Sequence, residues 1–510
     1  MAGSSSNTKR IAQNTVVLYL RMIVVMLITL YTSRILLKAL GVDDFGLFNV
    51  VGGVVGLLTF FTRTMEKSTQ RFLNVSMVDG SESLTGIFAS SITIHILFAL
   101  LFLLVGETLG LWFLNAKISI PEGREFAANI VYQASLLSVC ASFISIPYSA
   151  AVIAYERMSF LAIVSIIDAV LKLCIALFLV SNDGDRLIYY GILLFGIQVI
   201  NFLMYFIYCR HRNKSLKFRI SCDKENFKKI FSYASWTLVG QAAVMGCNHG
   251  NVVLVNMFHS LVANAAMSVG TQVNAAVTNL TTNFQTAFNP QITKSYAEKN
   301  YGYLTRLVSS TTKISFSIMI AVALPIAFNI DWVLKLWLDE VPQYSNAFTI
   351  LFMVNGIINA ISMPYNFVVL SSGNIRNFQI ATAVVFLADL PITYFLFKLG
   401  MPPVTVLWVK ISVITIMLFV RIIFASKIVP DISLWSVCKS VLLPMAVTAA
   451  IPILLAFFLN DYATTNWQRI VFTIPIEIIT LVLLWFVCFA KDERQTVISM
   501  VKKIRNKNEQ

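Results

Sequence analysis

Three kinds of polar side chain stand in this sequence where apolar residues are expected, and each has its own chemistry. Arg63, Lys67 and Arg71 recur every fourth residue, a stripe on one face of a helix, while Arg21, Lys313 and Lys410 lie within apolar runs. Cations so placed bind phosphate oxygens, arginine through a planar fork and lysine as a point charge. Asp168 and Asp389 are lone carboxylates in apolar surroundings, which makes them candidate sites for a coupling proton or sodium ion. The third kind is neutral: Asn274, Thr278, Thr281 and Gln285 recur at roughly helical spacing, with Thr271, Gln272, Asn279, Thr282 and Asn283 beside them. Such amides and hydroxyls are natural partners for sugar hydroxyls. The patch Cys247-Asn248-His249-Gly250-Asn251 places His249 among the candidate substrate contacts, and its glycine can loosen a helix beside a cavity.

Each group also has a plainer reading. Arg34, Arg63, Lys67 and Arg71 fall near the ends of apolar runs, where long cationic side chains snorkel to the interface. Lys172 follows Asp168 by one helical turn and offers it an internal ion pair. Asparagine, serine and threonine routinely bond one membrane helix to the next, and His95 reads as a bundle histidine with its ring satisfied. A charge at the centre of a span costs about 2.5 to 3.5 kcal/mol on insertion scales, so Arg21 and Lys313 are expected to face a lumen rather than lipid.

The elements that hold these residues follow from composition. Of 510 residues, 57% are hydrophobic and 13% charged, which excludes an ordinary water-soluble surface. Apolar runs of spanning length fall at 12–40, 44–74, 84–110, 123–150, 158–180 and 186–209. Others follow at 230–258, 262–290, 303–329, 344–371, 376–399 and 402–426, then 432–459 and 467–490. The expected fold is an all-α polytopic membrane protein of about fourteen transmembrane helices, two six-helix lobes plus two C-terminal helices. The boundaries are a first lobe over 1–210, a basic linker over 211–229, a second lobe over 230–427, the two added helices over 428–490, and a basic tail over 491–510. The first apolar run continues past Arg21 to about Leu40 without a small-residue cleavage site, so the first helix is expected to be retained.

Lys and Arg number 39 against 25 Asp and Glu, and the cations concentrate in the linker and the tail. Lys214, Lys217, Lys502 and Lys503 are among them, and both segments are expected on the cytoplasmic side with both termini, including Lys9 and Arg10. The outer loops carry few or balanced charges: Glu107, Glu122, Glu125, Asp339 and Glu340 are scattered and form no catalytic set. Seven cysteines lack any metal-ligand spacing and read as buried free thiols. Ser145-Ile146-Pro147-Tyr148 recurs as Ser362-Met363-Pro364-Tyr365, and Asp168 as Asp389, at nearly one spacing. Six helices separate the equivalent points, which implies a parallel repeat, two lobes about an axis along the membrane normal with a cavity of alternating access.

Arg34, Leu40-Gly41 and Phe45-Gly46-Leu47 lie at the first turn, in a chain of six, six and two helices. Here the sequence resembles the polysaccharide flippase branch of the multidrug/oligosaccharidyl-lipid/polysaccharide exporter superfamily, near bacterial O-antigen and capsule repeat-unit flippases. Gly41 suits a left-handed cap on the first helix, and Asp43 or Asp44 an N-cap on the second. The resemblance implies a V-shaped pair of lobes in the bacterial inner membrane that moves an oligosaccharide on undecaprenyl pyrophosphate to the periplasmic leaflet. It implies membrane lipids and that lipid-linked substrate as partners, a monomer, no nucleic acid and no cofactor beyond a coupling ion. In related lipid II flippases, arginines of helices 1, 2 and 8 handle the head group. Arg21 and Arg63 match the first two, but the eighth run has no arginine, and Lys313 is the substitute. The rival readings are a drug or organic-cation exporter of the same superfamily, which would use Asp168 and Asp389 in an acidic cavity, and a membrane-bound polymerase or ligase. The outer loops are too short for such an enzyme.

Overall fold

Long apolar runs become helices because, in hydrocarbon, each backbone N–H and C=O must find its partner within its own segment. The computed structural model describes residues 2–494 except 118, 119, 121, 122, 183, 213–215, 217, 222, 260, 339, 464, 491 and 492, and leaves aside the side chains of 2–13, 52–60 and some shorter helical stretches. The side chains of Lys9, Arg10, Asp43 and Phe45, together with Glu122, Lys214, Lys217, Cys222, Asp339, Lys491 and the tail from residue 495, lie outside the described residues.

Helix α1 (Ala2–Asp79) runs through the first two expected spans and breaks at Gly41, whose φ of 74° is left-handed, as expected of a glycine cap. It is followed by α2 (Ser81–Val105), α3 (Glu125–Ala154), α4 (Met158–Val180), α5 (Arg186–Arg212) and α6 (Lys224–Phe258). Then come α7 (Leu261–Ala297), α8 (Tyr301–Phe328), α9 (Ser345–Ser372), α10 (Arg376–Leu387), α11 (Asp389–Lys398), α12 (Thr405–Ile428), α13 (Leu443–Asn460) and α14 (Asn466–Leu483). The helices α10 and α11 share one span, broken at Ala388. Among the described residues no strand occurs, and 12 helical stretches are long and apolar enough to cross a membrane, against the fourteen expected. The runs at 44–74 and 262–290 are helical but fall outside those 12; the second of them, α7, is the polar helix.

The chain divides into two compact units, residues 10–238 and residues 239–510 with the first nine. The division falls inside α6 rather than in the basic linker. In the first unit α3 packs against α2, α4 and α5, with Phe143 stacked on Phe102 and Tyr148 edge-on to Phe88. In the second, α9 packs against α7, α8 and α12, while α13 and α14 lie on α8. Pro147 lies inside α3 and Pro364 inside α9; α3 packs on α2 and α5 as α9 packs on α8 and α12, while their third neighbours, α4 and α7, are not equivalent.

Two contacts fix these units. Arg124, at the start of α3, bonds the carboxylates of Asp44 and Asp185, the latter at 2.8 Å, and so ties three connections on one side of the first unit. Asp44, one of the two cap candidates, serves as an ion-pair partner. Removing the guanidinium strands Asp44, whose side chain is 12% exposed, and Arg124→Ala should lower stability by roughly 1 to 3 kcal/mol, read as an earlier thermal melt of the detergent-solubilised protein. Gly270 of α7 meets α9 so closely that an added Cβ would stand 3.0 Å from the Phe348 carbonyl carbon and 3.1 Å from the Thr349 nitrogen. Those are backbone atoms that cannot swing aside. Gly270→Val should cost about 1 to 3 kcal/mol of overpacking, and an unchanged melting temperature would contradict this contact.

Candidate functional site

In the first unit the polar groups gather where α1, α3, α4 and α5 approach one another. Arg21 is half-buried on α1 within electrostatic reach of Tyr205 on α5, and Tyr205 is in turn within reach of Glu66 and Asp168. Glu66, which sequence reasoning passed over, accepts a 2.5 Å hydrogen bond from Ser149 Oγ and lies between Arg63 and Lys67 on its own helix. Arg63 and Lys67 are exposed. Arg71, the last of the stripe, is instead held over the rings of Phe72 and Tyr233, 4.7 and 5.6 Å from their centroids. Asp168 makes the internal ion pair open to it, 2.7 Å from Lys172, and also accepts from Asn201 Nδ2 at 2.8 Å. Its charge is thereby shared between α4 and α5.

The second unit holds a different kind of carboxylate. Asp389 is fully buried at the break between α10 and α11 and accepts from Cys247 Sγ at 2.8 Å, Asn251 Nδ2 at 2.9 Å and Thr393 Oγ1 at 3.0 Å. Every one of these donors is neutral. Thr393 is one turn on, and Cys247 and Asn251 share a face of α6, so the patch singled out in the sequence contributes its thiol and its second asparagine. His249 of that patch is exposed, and Asn248 accepts from Lys410 Nζ at 2.6 Å. Lys410 also lies over the Phe352 ring at 5.5 Å.

Two expectations are corrected. Lys313 does not stand open to a lumen: its side chain is 7% exposed and paired at 2.9 Å with Glu493, just beyond the last helix, which Ser310 Oγ also bonds. The charge that was to replace a missing arginine already has its counter-ion. Nor is the face from Asn274 to Gln285 water-lined throughout. Gln285 is buried and donates to Ser315 Oγ and the Ala360 carbonyl, Thr281 is buried beside it, and Asn274 and Thr278 pack against Gly356 of α9. The exposed polar groups of α7 among the described residues are Ser268, Thr271, Gln272, Asn279 and Thr282, one strip around the helix. Cys174 is also exposed rather than buried.

Arg421 was missed altogether. It is 7% exposed on α12, and among the described residues its partners are neutral: Ser362 Oγ at 2.8 Å, Asn359 Oδ1 at 3.4 Å and the Met363 sulfur. Ser362 and Met363 open the repeated motif, so that repeat was the available signal. Among the described residues no group of His, Cys, Asp and Glu could hold a metal ion.

The fold is shared with known transporters. A multidrug resistance MATE-family transporter of the MOP superfamily, in an outward-facing conformation, aligns with a TM-score of 0.70 at 12% identity, over 84% of this chain and 97% of that one. A MOP-superfamily transporter from Pyrococcus furiosus aligns at 0.66 and 13% identity, over 84% and 96%. A Vibrio cholerae MATE transporter aligns at 0.63 and 14%, over 84% and 99%. At such identities the likeness concerns the fold. No curated protein sequence matches the chain. The family model described as polysaccharide biosynthesis protein matches residues 11–296, across the whole first unit and on through α7. With that match over more than half its length, this chain belongs to the polysaccharide biosynthesis protein family.

Proposed function

We propose that the protein flips undecaprenyl-pyrophosphate-linked oligosaccharide repeat units from the cytoplasmic to the periplasmic leaflet by alternating access. The observation that carries this reading is the pair of cations Arg63 and Lys67 about one carboxylate, Glu66, with Arg21 reaching the same cluster through Tyr205, in the unit that the polysaccharide family model covers. An excess of cations in a span suits a pyrophosphate and disfavours an organic cation. Arg21 takes the head group, and the open amides and hydroxyls of α7, Gln272 and Asn279 among them, meet sugar hydroxyls. A deletion strain should accumulate lipid-linked repeat units on the cytoplasmic side of the inner membrane. Normal delivery to the periplasm, with new sensitivity to cationic drugs, would replace this reading with drug export.

Asp389 is the coupling site. A buried carboxylate whose hydrogen-bond donors are all neutral changes its charge when a proton or sodium ion binds; Lys410 lies within electrostatic reach of Asp389 but bonds Asn248, whereas Asp168 is paired directly with Lys172. Asp389→Asn keeps the shape and removes the charge. Export by this variant should drop by about 5- to 150-fold, the range of typical coupling energies, and lose its dependence on an imposed ion gradient in proteoliposomes. Retained gradient dependence would remove Asp389 from this role.

A further inference from the structure

A seam of buried polar atoms in the first unit has no partner among the described residues. Ser and Thr side chains in these helices ordinarily close onto their own backbone, as Ser138 does with the Ala134 carbonyl and Thr93 with that of Ala89. Ser68, Ser90 and Ser91 do not: each is 0% exposed, and among the described residues each hydroxyl is without a hydrogen bond. Both polar atoms of the Asn74 amide are in the same state, as is the Tyr148 hydroxyl. Fully buried polar groups without partners are rare, at a cost of about 1 to 3 kcal/mol each.

These residues lie at matching heights. The 61–79 stretch of α1 and the start of α2 form an antiparallel pair through the turn at Gly80, and Phe61 meets Phe102 with centroids 5.2 Å apart. Counting inward from that contact at the common helical rise brings Ser68 level with His95, and Asn74 to within one residue of Ser90. Tyr148 joins from α3 against Phe88, one turn from Ser91 on α2.

His95 defines what the seam must hold. Its Nδ1 lies 2.7 Å from the Ser91 carbonyl, which can only accept, so Nδ1 carries the hydrogen and the neutral ring presents a lone pair at Nε2. That nitrogen is buried and bonds nothing among the described residues, contrary to the expected satisfied ring. The second unit shows the dry solution. Ser315 stands as far along α8 from Tyr301 as His95 stands along α2 from Ser81, and there Gln285 reaches across to Ser315 Oγ at 3.0 Å. In the first unit the level residue is the short Ser68.

We infer that this seam between α1 and α2 is a binding site for ordered water, with His95 Nε2 as an acceptor and the Ser68 and Ser91 side chains, on the faces that Phe61 and Phe102 share, as its other contacts. Water both donates and accepts, as the mixed set requires, and typically makes about three bonds. A metal ion or sodium is disfavoured, because the nearby charges are engaged elsewhere: Glu66 with Ser149, and Arg71 over Phe72 and Tyr233. The inference is independent of what the protein transports.

X-ray hydroxyl-radical footprinting of the full-length protein in nanodiscs tests it, since radicals formed from a bound water modify the side chain beside it. His95 and Tyr148, at 0% and 1% exposure, should be modified as readily as Tyr462, at 72%, while Phe143 in its apolar stack stays unmodified. Ser68→Ala combined with Ser91→Val should cut the modification of His95 several-fold and leave that of Tyr462 unchanged. Unmodified His95 and Tyr148 beside a modified Tyr462 would overturn the site. So would equal modification of Phe143, which would mean general water entry. The wild-type contrast decides the matter even if the double variant fails to fold.

Discussion

Arg21→Ala and Arg21→Gln should lose about 10- to 100-fold in export while reaching the membrane at wild-type levels, and Arg21→Lys should retain part of it. The size follows from losing charge-assisted hydrogen bonds, about 1.5 to 3 kcal/mol. The order follows from geometry: a lysine keeps the charge without the fork, and a glutamine keeps neither. Arg21 is half-buried and near Tyr205, so a purely structural role makes a different forecast. In that case truncation would leave its neighbours unsatisfied and the amount of folded protein would fall. Membrane abundance measured beside surface polysaccharide separates the two, and full export by an abundant Arg21→Ala protein would sink the head-group role.

Lys313 should behave in the opposite way. Removing one member of a buried ion pair leaves an uncompensated charge, at about 3 to 5 kcal/mol. Lys313→Met and Glu493→Gln should each therefore yield little folded protein, whereas Lys313→Met with Glu493→Leu should recover most of it, because an apolar pair of similar volume replaces both charges. Thermal melts followed by size-exclusion chromatography would show this as two unstable single variants and a stable double. Single variants that melt like the wild type would mean that the pair contributes nothing and would return Lys313 to the list of substrate contacts.

Local sequence carried part of this site and long-range packing the rest. The break at Gly41 was legible because a glycine between two apolar runs marks a left-handed residue, and the Asp168 pair because Lys172 lies one turn away. Glu493 was not legible as the partner of Lys313, nor Cys247 and Asn251 as donors to Asp389, because those contacts join helices distant in sequence. Polar periodicity located the stripe on α7 but not its direction. Amides that line water and amides that bond a neighbouring helix recur at the same spacing, and only Gly356 and Ser315 on the facing helices show which way Asn274 and Gln285 turn. Composition suggested the membrane for both units without distinguishing the dry contact at Ser315 from the orphaned ring at His95.

The Arg124 tie also sets a chronology for biogenesis. Asp44 leaves the ribosome first, Arg124 next and Asp185 last, so for a time the chain holds an acid whose base has not been made and then a base with one acid of two. At ordinary synthesis rates that interval is on the order of ten seconds. Through it, the hairpin begun by Asp44 must be kept from mispairing by the insertion machinery or by lipid head groups. This end of the first unit can lock only when the connection bearing Asp185 has joined the other two, which makes emergence of α5 the step that commits the unit to its fold.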